Sequence, residues 1–258
     1  MKISPYKSTD KDLWDQFVEG SKNGTFLFLR DYMDYHKDRF SDSSLLIKNA
    51  KNIPIALFPA NYVESEKLVV SHGGLTYGSL LLSYEVTAMD IGKMWEEIRR
   101  YYKHLGADLL HLKTIPYIYH NYPCEEELYW LFRFGAKLLS RGLSSVVDLR
   151  NPLSFSKLRK RKVKMAQQSA LELMLNAPLS YYSEFWAILE KVLLSYHNTL
   201  PVHSLEEILL LVQHFPQNIQ LALVREADNV VAGCVQYKTK KVNHIQYIAA
   251  SEEGRDKG

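Results

Sequence analysis

A glycine-rich stretch that carries an imidazole and a phenol is the part of the chain best suited to chemistry. It follows a strand-like run ending at Val70 and reads Ser71-His72-Gly73-Gly74-Leu75-Thr76-Tyr77-Gly78-Ser79. Three glycines within six residues allow positive φ and bring backbone N–H groups close to a bound anion. The stretch matches neither the P-loop nor the dinucleotide-binding motif. Its residues therefore predict either a phosphate cradle or an ordinary loop, and both interpretations stay open.

Histidine and tyrosine side chains are the candidates for proton transfer. His72 and Tyr77 lie in the glycine-rich stretch, and His197 and His203 flank a predicted helix junction. An imidazole suits a general base because its pKa lies near neutrality. Each candidate has a structural alternative. His203 directly precedes a predicted helix cap, where histidines commonly serve as hydrogen-bonded structural residues, and Tyr77 is one of 17 tyrosines and is equally suited to packing.

The composition predicts a globular, cytoplasmic protein without a metal. The chain has 258 residues, of which 47% are apolar, so it can bury a sizeable core and is long enough for two domains. Residues 1–10 have no apolar core of secretory type and no run of about 18 apolar residues occurs, so we expect neither a signal peptide nor a membrane span. Its two cysteines, Cys124 and Cys234, indicate reduced thiols and give no metal-ligand spacing. Cys124 precedes three glutamates, an acidic setting that disfavours a thiolate, so we expect no cysteine nucleophile.

The first 150 residues predict one α/β domain with a mixed, largely antiparallel sheet and helices on both faces. The glycine-rich turn would lie at the N-terminus of a helix over 86–105, where free N–H groups and the helix dipole favour an anion. The predicted elements are, in order, a strand over 2–7, helices beginning near Ser8 and over 30–40, strands over 45–48, 53–62 and 67–70, the turn, the helix over 86–105, a strand over 107–115, a helix over 125–135 and a strand over 138–149.

A basic segment, residues 151–170, connects this domain to the rest of the chain. It contains six cations within eight residues, namely Lys157, Arg159, Lys160, Arg161, Lys162 and Lys164. Clustered cations attract polyanions such as nucleic acid in a salt-dependent way. The same cluster is also typical of a solvated helix face. The overall net charge of +3 does not decide between these interpretations.

Residues 171–258 repeat the order of the first domain at an offset of roughly 175 residues. Two predicted helices, a hairpin and a third strand lead into a second glycine-containing turn over 251–258. The helix, strand, helix and strand that complete the first copy do not follow in this sequence. We therefore expect the second domain to be incomplete, truncated at its C-terminus.

These features resemble the tandem GNAT-like acyltransferases that include the FemABX peptidyltransferases. In GNAT folds the third strand leads into a loop of the form Gln or Arg, two residues, Gly, one residue, Gly or Ala, which holds the acyl-CoA pyrophosphate. Arg255-Asp256-Lys257-Gly258 matches its first four positions. The first turn lacks the Arg or Gln and is similar to the Arg-Gly-Pro turn of FemABX proteins. The stretch through Lys164-Met165-Ala166 is similar to the basic segment that opens their second domain.

The resemblance implies transfer of an acyl group from acyl-CoA, acetyl-CoA in particular, to an amine acceptor. The implied cofactor-binding residues are Gly254, Arg255, Lys257 and Gly258, the implied catalytic residues are His203 and Tyr77, and the implied acceptor-binding residues are His72, Gly73, Gly74, Thr76, Tyr77 and Gly78. One alternative is FemABX-type transfer from aminoacyl-tRNA to a cell-wall precursor amine, with residues 157–164 contacting the tRNA. Another is a non-catalytic binding module on the same fold.

Overall fold

The computed structural model describes residues 1–257, and their contacts divide into two units. Unit 1 comprises Met1–Lys137 and Thr239–Val242, and unit 2 comprises Leu138–Lys238 and residues 243–257. The expected division into domains over 1–150, 151–170 and 171–258 stays a prediction.

Unit 1 is built on two sheets. The first is antiparallel with the order β1-β2-β3-β6, and in the second β4 pairs antiparallel and β7 parallel with β5. The strands are β1 (Lys2–Pro5), β2 (Leu45–Lys48), β3 (Pro54–Phe58), β4 (Asn61–Val63), β5 (Leu68–Val70), β6 (Leu81–Leu82) and β7 (Leu109–His111).

The helices of unit 1 bury an apolar core against these sheets. They are α1 (Lys11–Gly20), the single-turn α2 (Arg30–Met33), α3 (Ala88–His104) and α4 (Glu126–Arg133). Helix α3 begins with a capping box between Thr87 and Asp90, which satisfies N–H groups of its first turn. One face of α3 carries Ile91, Met94, Trp95, Ile98 and Tyr102, all buried. Burying each such side chain contributes roughly 1.5–3 kcal/mol, so packing rather than helix propensity holds α3 in place.

Unit 2 contains one four-stranded antiparallel sheet with the order β11-β10-β9-β8. Its strands are β8 (Leu171–Met174), β9 (Ile219–Glu226), β10 (Asn229–Lys238) and β11 (Asn243–Ala250), and its helices are α5 (Lys157–Gln168), α6 (Tyr182–His197), α7 (Leu205–His214) and α8 (Glu252–Asp256). Phe185 of α6 packs so closely on β10 that a Cβ at Gly233 would lie 2.7 Å from its ring. The glycine therefore allows helix and sheet to approach.

The segment 138–149, expected to be a strand, forms none in the structure. It runs without regular structure, and Leu138, Leu143 and Leu149 are exposed. Its apolar residues suit a strand, but a strand also needs a neighbour for its backbone N–H and C=O groups. No described strand pairs with this segment, so the sequence-based prediction was wrong.

Two other predicted elements of unit 1 are broken up. The expected helix over 30–40 is one turn, α2, followed by a 3-10 turn. Buried Arg30 forms ion pairs with Asp34 (2.5 Å) and Asp42 (3.0 Å) there. The expected strand over 53–62 divides into β3 and β4 around Pro59, which has no N–H to donate to a ladder.

The glycine-rich turn does not lie at the N-terminus of a helix. Strand β6 separates it from α3, whose N-terminal groups are capped by Thr87. The expectation that this helix end would favour an anion at the turn was therefore wrong. No helix among residues 1–257 is long and apolar enough to cross a membrane.

Candidate functional site

Both ends of the glycine-rich turn are anchored by hydrogen bonds to the end of β7 and the residues that follow it. The Ser71 N–H donates to the His111 carbonyl (2.9 Å), and the Gly78 N–H donates to the Lys113 carbonyl (2.6 Å). The Ser71 hydroxyl donates to the Gly78 carbonyl (2.9 Å) and accepts from the Lys113 N–H (2.8 Å). These four bonds close the turn into a fixed loop. Gly73 and Thr76 are its exposed positions.

The three glycines are required by close packing. A Cβ at Gly74 would lie 1.7 Å from Nε2 of His36, one at Gly73 would lie 2.8 Å from the Phe40 ring, and one at Gly78 would lie 2.0 Å from the Ser71 carbonyl oxygen. Side chains at these positions would collide with buried groups. The structure therefore accounts for the glycines without a phosphate.

The backbone donors of the turn are largely committed to protein acceptors. The Gly73 N–H donates to Oδ1 of Asn61 (2.6 Å), the Leu75 N–H to the His72 carbonyl (3.2 Å), and the Gly78 N–H to Lys113. A phosphate cradle needs such donors aimed at the ligand. Their commitment favours the ordinary-loop interpretation over the cradle. Acceptor binding by His72, Gly73, Gly74, Thr76, Tyr77 and Gly78 stays a prediction.

His72 lies beneath the turn in a cluster of buried rings. Its backbone is left-handed (φ 58°), its side chain is buried, and its ring centroid lies 5.4 Å from that of His36 and 5.8 Å from that of Phe40. Burial, together with the positive charges of His36, Arg30 and Lys113, lowers the pKa of His72 to about 3. The imidazole is therefore neutral near pH 7 but too weakly basic to be an efficient general base.

The Lys113 side chain binds two backbone carbonyls of the glycine-rich turn. Its ammonium group donates to the carbonyls of Gly73 (3.2 Å) and Leu75. Burial lowers the pKa of Lys113 to about 8. Buried lysines shift in this direction because a low-dielectric surrounding disfavours the charged form. An amine that is partly neutral near physiological pH is a feature of functional sites.

Tyr77, a predicted catalytic residue, is buried in an aromatic group at the end of the turn. Its ring lies 4.7 Å from Tyr119 and 5.8 Å from Phe28, measured between centroids, and its hydroxyl is 3.2 Å from Oγ1 of Thr25. Burial raises the pKa of Tyr77 above its ordinary value. The phenol therefore stays protonated and is suited to donating a hydrogen bond rather than to accepting a proton.

A small polar cavity of about 20 Å³ lies beside the turn, lined in part by Ser79, His120, Cys124 and Glu127. That volume is sufficient for one water molecule. Both oxygens of the buried Glu127 carboxyl group accept hydrogen bonds, one from the Ser79 hydroxyl and one from the Leu80 N–H (3.3 Å). Burial nonetheless raises the pKa of Glu127 to about 7, and its two hydrogen bonds only partly offset this effect. This carboxyl group therefore titrates near neutrality.

Cys124 and His120 form a hydrogen-bonded pair at the cavity. The His120 ring nitrogens face the Ile115 carbonyl (Nε2, 3.2 Å) and the Cys124 sulfur (Nδ1, 3.5 Å). Because a carbonyl only accepts, Nε2 carries the proton, and the thiol donates to Nδ1. Burial, with the charge of Glu126, raises the pKa of Cys124 to about 12. The thiol is therefore not an activated nucleophile, as the acidic sequence context predicts.

Sequence reasoning missed three residues of this region. The predictions place His36 in the helix over 30–40, Lys113 in the strand over 107–115, and Glu127 among three consecutive glutamates that serve only as acidic context. None of these patterns distinguishes a buried polar group from a solvated one. These three side chains are wholly or partly buried by packing between parts of the chain that are distant in sequence, which local sequence patterns do not show.

His203, the second predicted catalytic residue, lies in unit 2, whereas Tyr77 lies in unit 1. His203 is buried, with Nδ1 2.5 Å from the Tyr247 hydroxyl and the two rings edge to face. It directly precedes Ser204, which caps α7. These contacts are typical of a histidine with a structural role. Its catalytic role stays a prediction.

The predicted cofactor loop takes the form of the short helix α8 rather than a turn. The Gly254 N–H donates to the Ser251 hydroxyl (3.1 Å), and the Arg255 guanidinium donates to the Tyr196 hydroxyl (3.0 Å). Lys257 forms an ion pair with Glu226. Gly258 lies outside the described residues. The cations assigned to the pyrophosphate thus have protein partners, and cofactor binding here stays a prediction.

Helix α5 carries the six clustered cations of the basic segment. Ser156 caps its N-terminus, its residues are mostly exposed, and it contains no acidic residue. Across the described part of the chain, no carboxylate lies within ion-pair distance of these six side chains. Like charges three and four positions apart destabilise a helix. An anionic partner would relieve this repulsion.

Comparison with solved structures shows the fold. The chain superposes on FemX with a TM-score of 0.62, covering 99% of this chain and 82% of FemX at 12% identity. It superposes on L-PGS from Bacillus licheniformis with a TM-score of 0.58, covering 96% of this chain and 67% of that one, again at 12% identity. No protein-family model and no curated protein matches the sequence. The predicted tandem GNAT-like, FemABX-related α/β fold is confirmed.

Proposed function

We propose that this protein is an N-acyltransferase that transfers an acyl or aminoacyl group to an amine. The observation that carries the proposal is the fold, which matches FemX over 99% of the chain. In such a transfer a neutral amine attacks the acyl carbon, and a hydrogen-bond donor stabilises the oxyanion that forms. In unit 1 the protonated Tyr77 phenol is a candidate for this donor. The exposed Gly73 and Thr76 offer the accessible surface for the acceptor amine.

The charges of unit 2 support aminoacyl-tRNA as the donor more strongly than acyl-CoA. Helix α5 presents six cations without described carboxylate partners. Arg255 and Lys257, which the acyl-CoA hypothesis assigns to the pyrophosphate, are engaged by Tyr196 and Glu226. Acyl-CoA remains the second candidate, on the match of residues 255–258 to the donor-loop pattern. The acceptor proposed for either donor is a small-molecule or cell-wall precursor amine.

Charge reversal on α5 tests the tRNA hypothesis. We expect replacement of Arg159, Lys160 and Arg161 with glutamate to abolish measurable tRNA binding near physiological salt. In a milder alanine version, the slope of log affinity against log salt concentration should fall by about 2–3, since each lost phosphate contact removes roughly 0.7–0.9. Binding is measured by filter retention over a salt series.

The matched control replaces three exposed lysines outside α5, Lys51, Lys93 and Lys103, with glutamate, which changes net charge equally. We expect this control to retain a larger share of the binding. Equal losses in the two variants, or unchanged binding after reversal on α5, would contradict the tRNA hypothesis. Calorimetric titration with acetyl-CoA tests the alternative donor. Binding of acetyl-CoA without tRNA favours the second donor, and binding of neither favours the non-catalytic module.

Tyr77→Phe tests the role of the phenol. The change removes the hydroxyl contact with Thr25, at a cost of about 1 kcal/mol in the free energy of unfolding. If the phenol donates to the oxyanion, kcat should fall by about 100-fold or more while KM changes little. Once the amine acceptor is known, steady-state kinetics separate the two effects. A kcat within about twofold of the unsubstituted protein would assign Tyr77 to packing alone.

A further inference from the structure

The outermost strand of the unit 2 sheet, β11, has a long edge without charged residues. The order β11-β10-β9-β8 gives β11 one neighbouring strand, and the described residues place no strand on its other side. A strand edge offers backbone N–H and C=O groups to any further strand, so soluble proteins usually shorten it or place charged residues or proline there. Strand β11 is eight residues long and contains no lysine, arginine, aspartate, glutamate or proline.

The other edge strands carry these protections. At the opposite end of the same sheet, β8 has four residues, and its Glu172 forms an ion pair with Arg225. In unit 1, β1 contains Lys2 and Pro5, and β4, β6 and β7 have two or three residues each. Among the edge strands that the structure describes, β11 is therefore the one best suited to pairing with a further strand.

Two exposed isoleucines lie side by side on one face of β11. Ile245 pairs with Gln236 of β10, and Ile248 pairs with Cys234. Because Gln236 and Cys234 are two residues apart, their partners point to the same face of the sheet. The opposite face of β11 packs on α6. The isoleucine face is open, since Ile245 is 44% exposed and Ile248 is 72% exposed.

A bulge interrupts β11 between the two isoleucines. The partners of Ile245 and Tyr247 on β10 are adjacent residues, so Gln246 is an extra residue with no partner on that strand. A bulge bends and twists its strand, which hinders pairing with a straight strand. A second copy of β11 has the same bulge, and the two bulges coincide when a two-fold axis relates the strands. The bulge thus favours a second copy over an unrelated strand.

We propose that two copies of this chain associate edge to edge through β11, in an antiparallel pairing that joins their sheets. The joined sheet contains four strands from each copy. A two-fold axis passes between Gln246 and Tyr247, so Ile245 of one copy lies opposite Ile248 of the other. The same patch of each copy then forms both sides of the interface. This inference does not rest on the proposed function, because the association needs neither an acyl donor nor an amine.

The register follows from the faces of β11. Four of its residues share the isoleucine face, because their partners on β10 are alternate residues; they are Asn243, Ile245, Ile248 and Ala250. With the proposed axis, each of the four lies opposite another of the four. A shift by one residue would set them against residues of the other face. The isoleucines of the two copies therefore meet on one side of the joined sheet, and no like charges oppose each other.

Sedimentation velocity of the whole chain, at about 1 to 200 µM protein, tests the proposal. One strand from each copy makes a small interface, so we expect a dimer with a micromolar Kd. Hydrogen exchange adds a readout on the unsubstituted protein, because amide protection of β11 should rise with concentration whereas that of β8 should not. A chain that remains monomeric at about 200 µM, or a dimer in which β11 gains no protection, would overturn the proposal.

Two double variants that differ at one residue test the register. Ile245→Lys with Ile248→Lys puts lysines opposite each other twice across the axis, and we expect the Kd to rise at least about tenfold. Ile245→Lys with Ile248→Glu puts each lysine opposite a glutamate of the second copy. This variant should dimerise at least about tenfold more tightly than the double-lysine variant. Equal Kd values for the two variants would contradict the proposed pairing.

Leu173→Lys is the matched control. Leu173 is exposed and lies on the same face of the sheet as Ile248, but on β8 at the opposite edge. We expect this change to alter the Kd by no more than about twofold. A loss equal to that of the double-lysine variant would mean that two sheets pack face to face, and edge pairing would be wrong. All the substituted positions are exposed, so far-UV circular dichroism should show that each variant folds.

Discussion

Replacing Glu127 with glutamine is expected to raise the free energy of unfolding at about pH 8, by at most about 4 kcal/mol. Burial raises the pKa of this carboxyl group to about 7, so at pH 8 the folded protein holds an ionised carboxylate in a dry site. Glutamine resembles the protonated acid. It can donate to the Ser79 hydroxyl and accept from the Leu80 N–H, so both contacts of the side chain survive without the charge.

The pH dependence fixes the sign of this effect. Between the ordinary glutamate pKa of about 4.3 and the folded value, the folded state binds more protons than the unfolded state. Stability from this group is therefore present at low pH and is lost as the pH rises towards about 7. We expect the variant and the unsubstituted protein to be similarly stable at about pH 4 and to diverge above it.

Urea unfolding at several pH values measures the difference. Glu125→Gln is the matched control, because Glu125 is an exposed neighbour on the same segment. It should change stability by no more than about 0.5 kcal/mol at either pH. A Glu127→Gln protein that is less stable than the unsubstituted one at about pH 8 would mean that the ionised carboxylate is stabilising and that its burial does not dominate.

Local patterns predicted several helices correctly, although the expected helix over 30–40 is only one turn followed by a 3-10 turn. Helix α3 appears in the sequence as an apolar stripe with a glycine beyond its end, and the structure places it over Ala88–His104. The capping box of Ser204 and Glu207 likewise marks the start of α7. These signals are carried by residues close in sequence, so they mark where a helix begins and ends, although packing against the rest of the unit is what stabilises it.

Predictions that depended on distant partners were less successful. The apolar residues over 138–149 were interpreted as a strand, but strand formation requires a neighbour that the sequence does not identify. Glycines 73, 74 and 78 indicate a close approach, which is present, but they do not say whether a ligand or a side chain approaches. Here the approaching groups are His36, Phe40 and the Ser71 carbonyl, which are contributed by folding.

The candidate site likewise contains some residues that the sequence indicated and others that only the tertiary structure reveals. Tyr77 and His72 were selected because their side chains can transfer protons, and both lie in one buried region of unit 1. The groups whose pKa values burial moves towards neutrality are instead Lys113 and Glu127, neither of which has a distinctive sequence context. Burial of a polar side chain is a tertiary property, so the chemistry of this region could not be ranked from residue types alone.

Gly78→Ala is expected to destabilise the protein by about 3 kcal/mol or to prevent folding of unit 1. The new Cβ would lie 2.0 Å from the Ser71 carbonyl oxygen. Ser71 cannot move away easily, because its N–H and its hydroxyl together make three hydrogen bonds, to His111 of β7, to Gly78 and to Lys113. Relief of the collision must therefore break some of these bonds.

Gly142→Ala is the control, because a Cβ at Gly142 meets nothing within 4 Å. We expect its stability to lie within about 0.5 kcal/mol of the unsubstituted protein. Thermal unfolding of both variants, followed by near-UV circular dichroism from the aromatic group around Tyr77, separates local from global loss. If Gly78→Ala were as stable as the control, the turn would have to be looser than its bonds indicate. Its glycines would then need another explanation, and a ligand that approaches the backbone would again become the leading one.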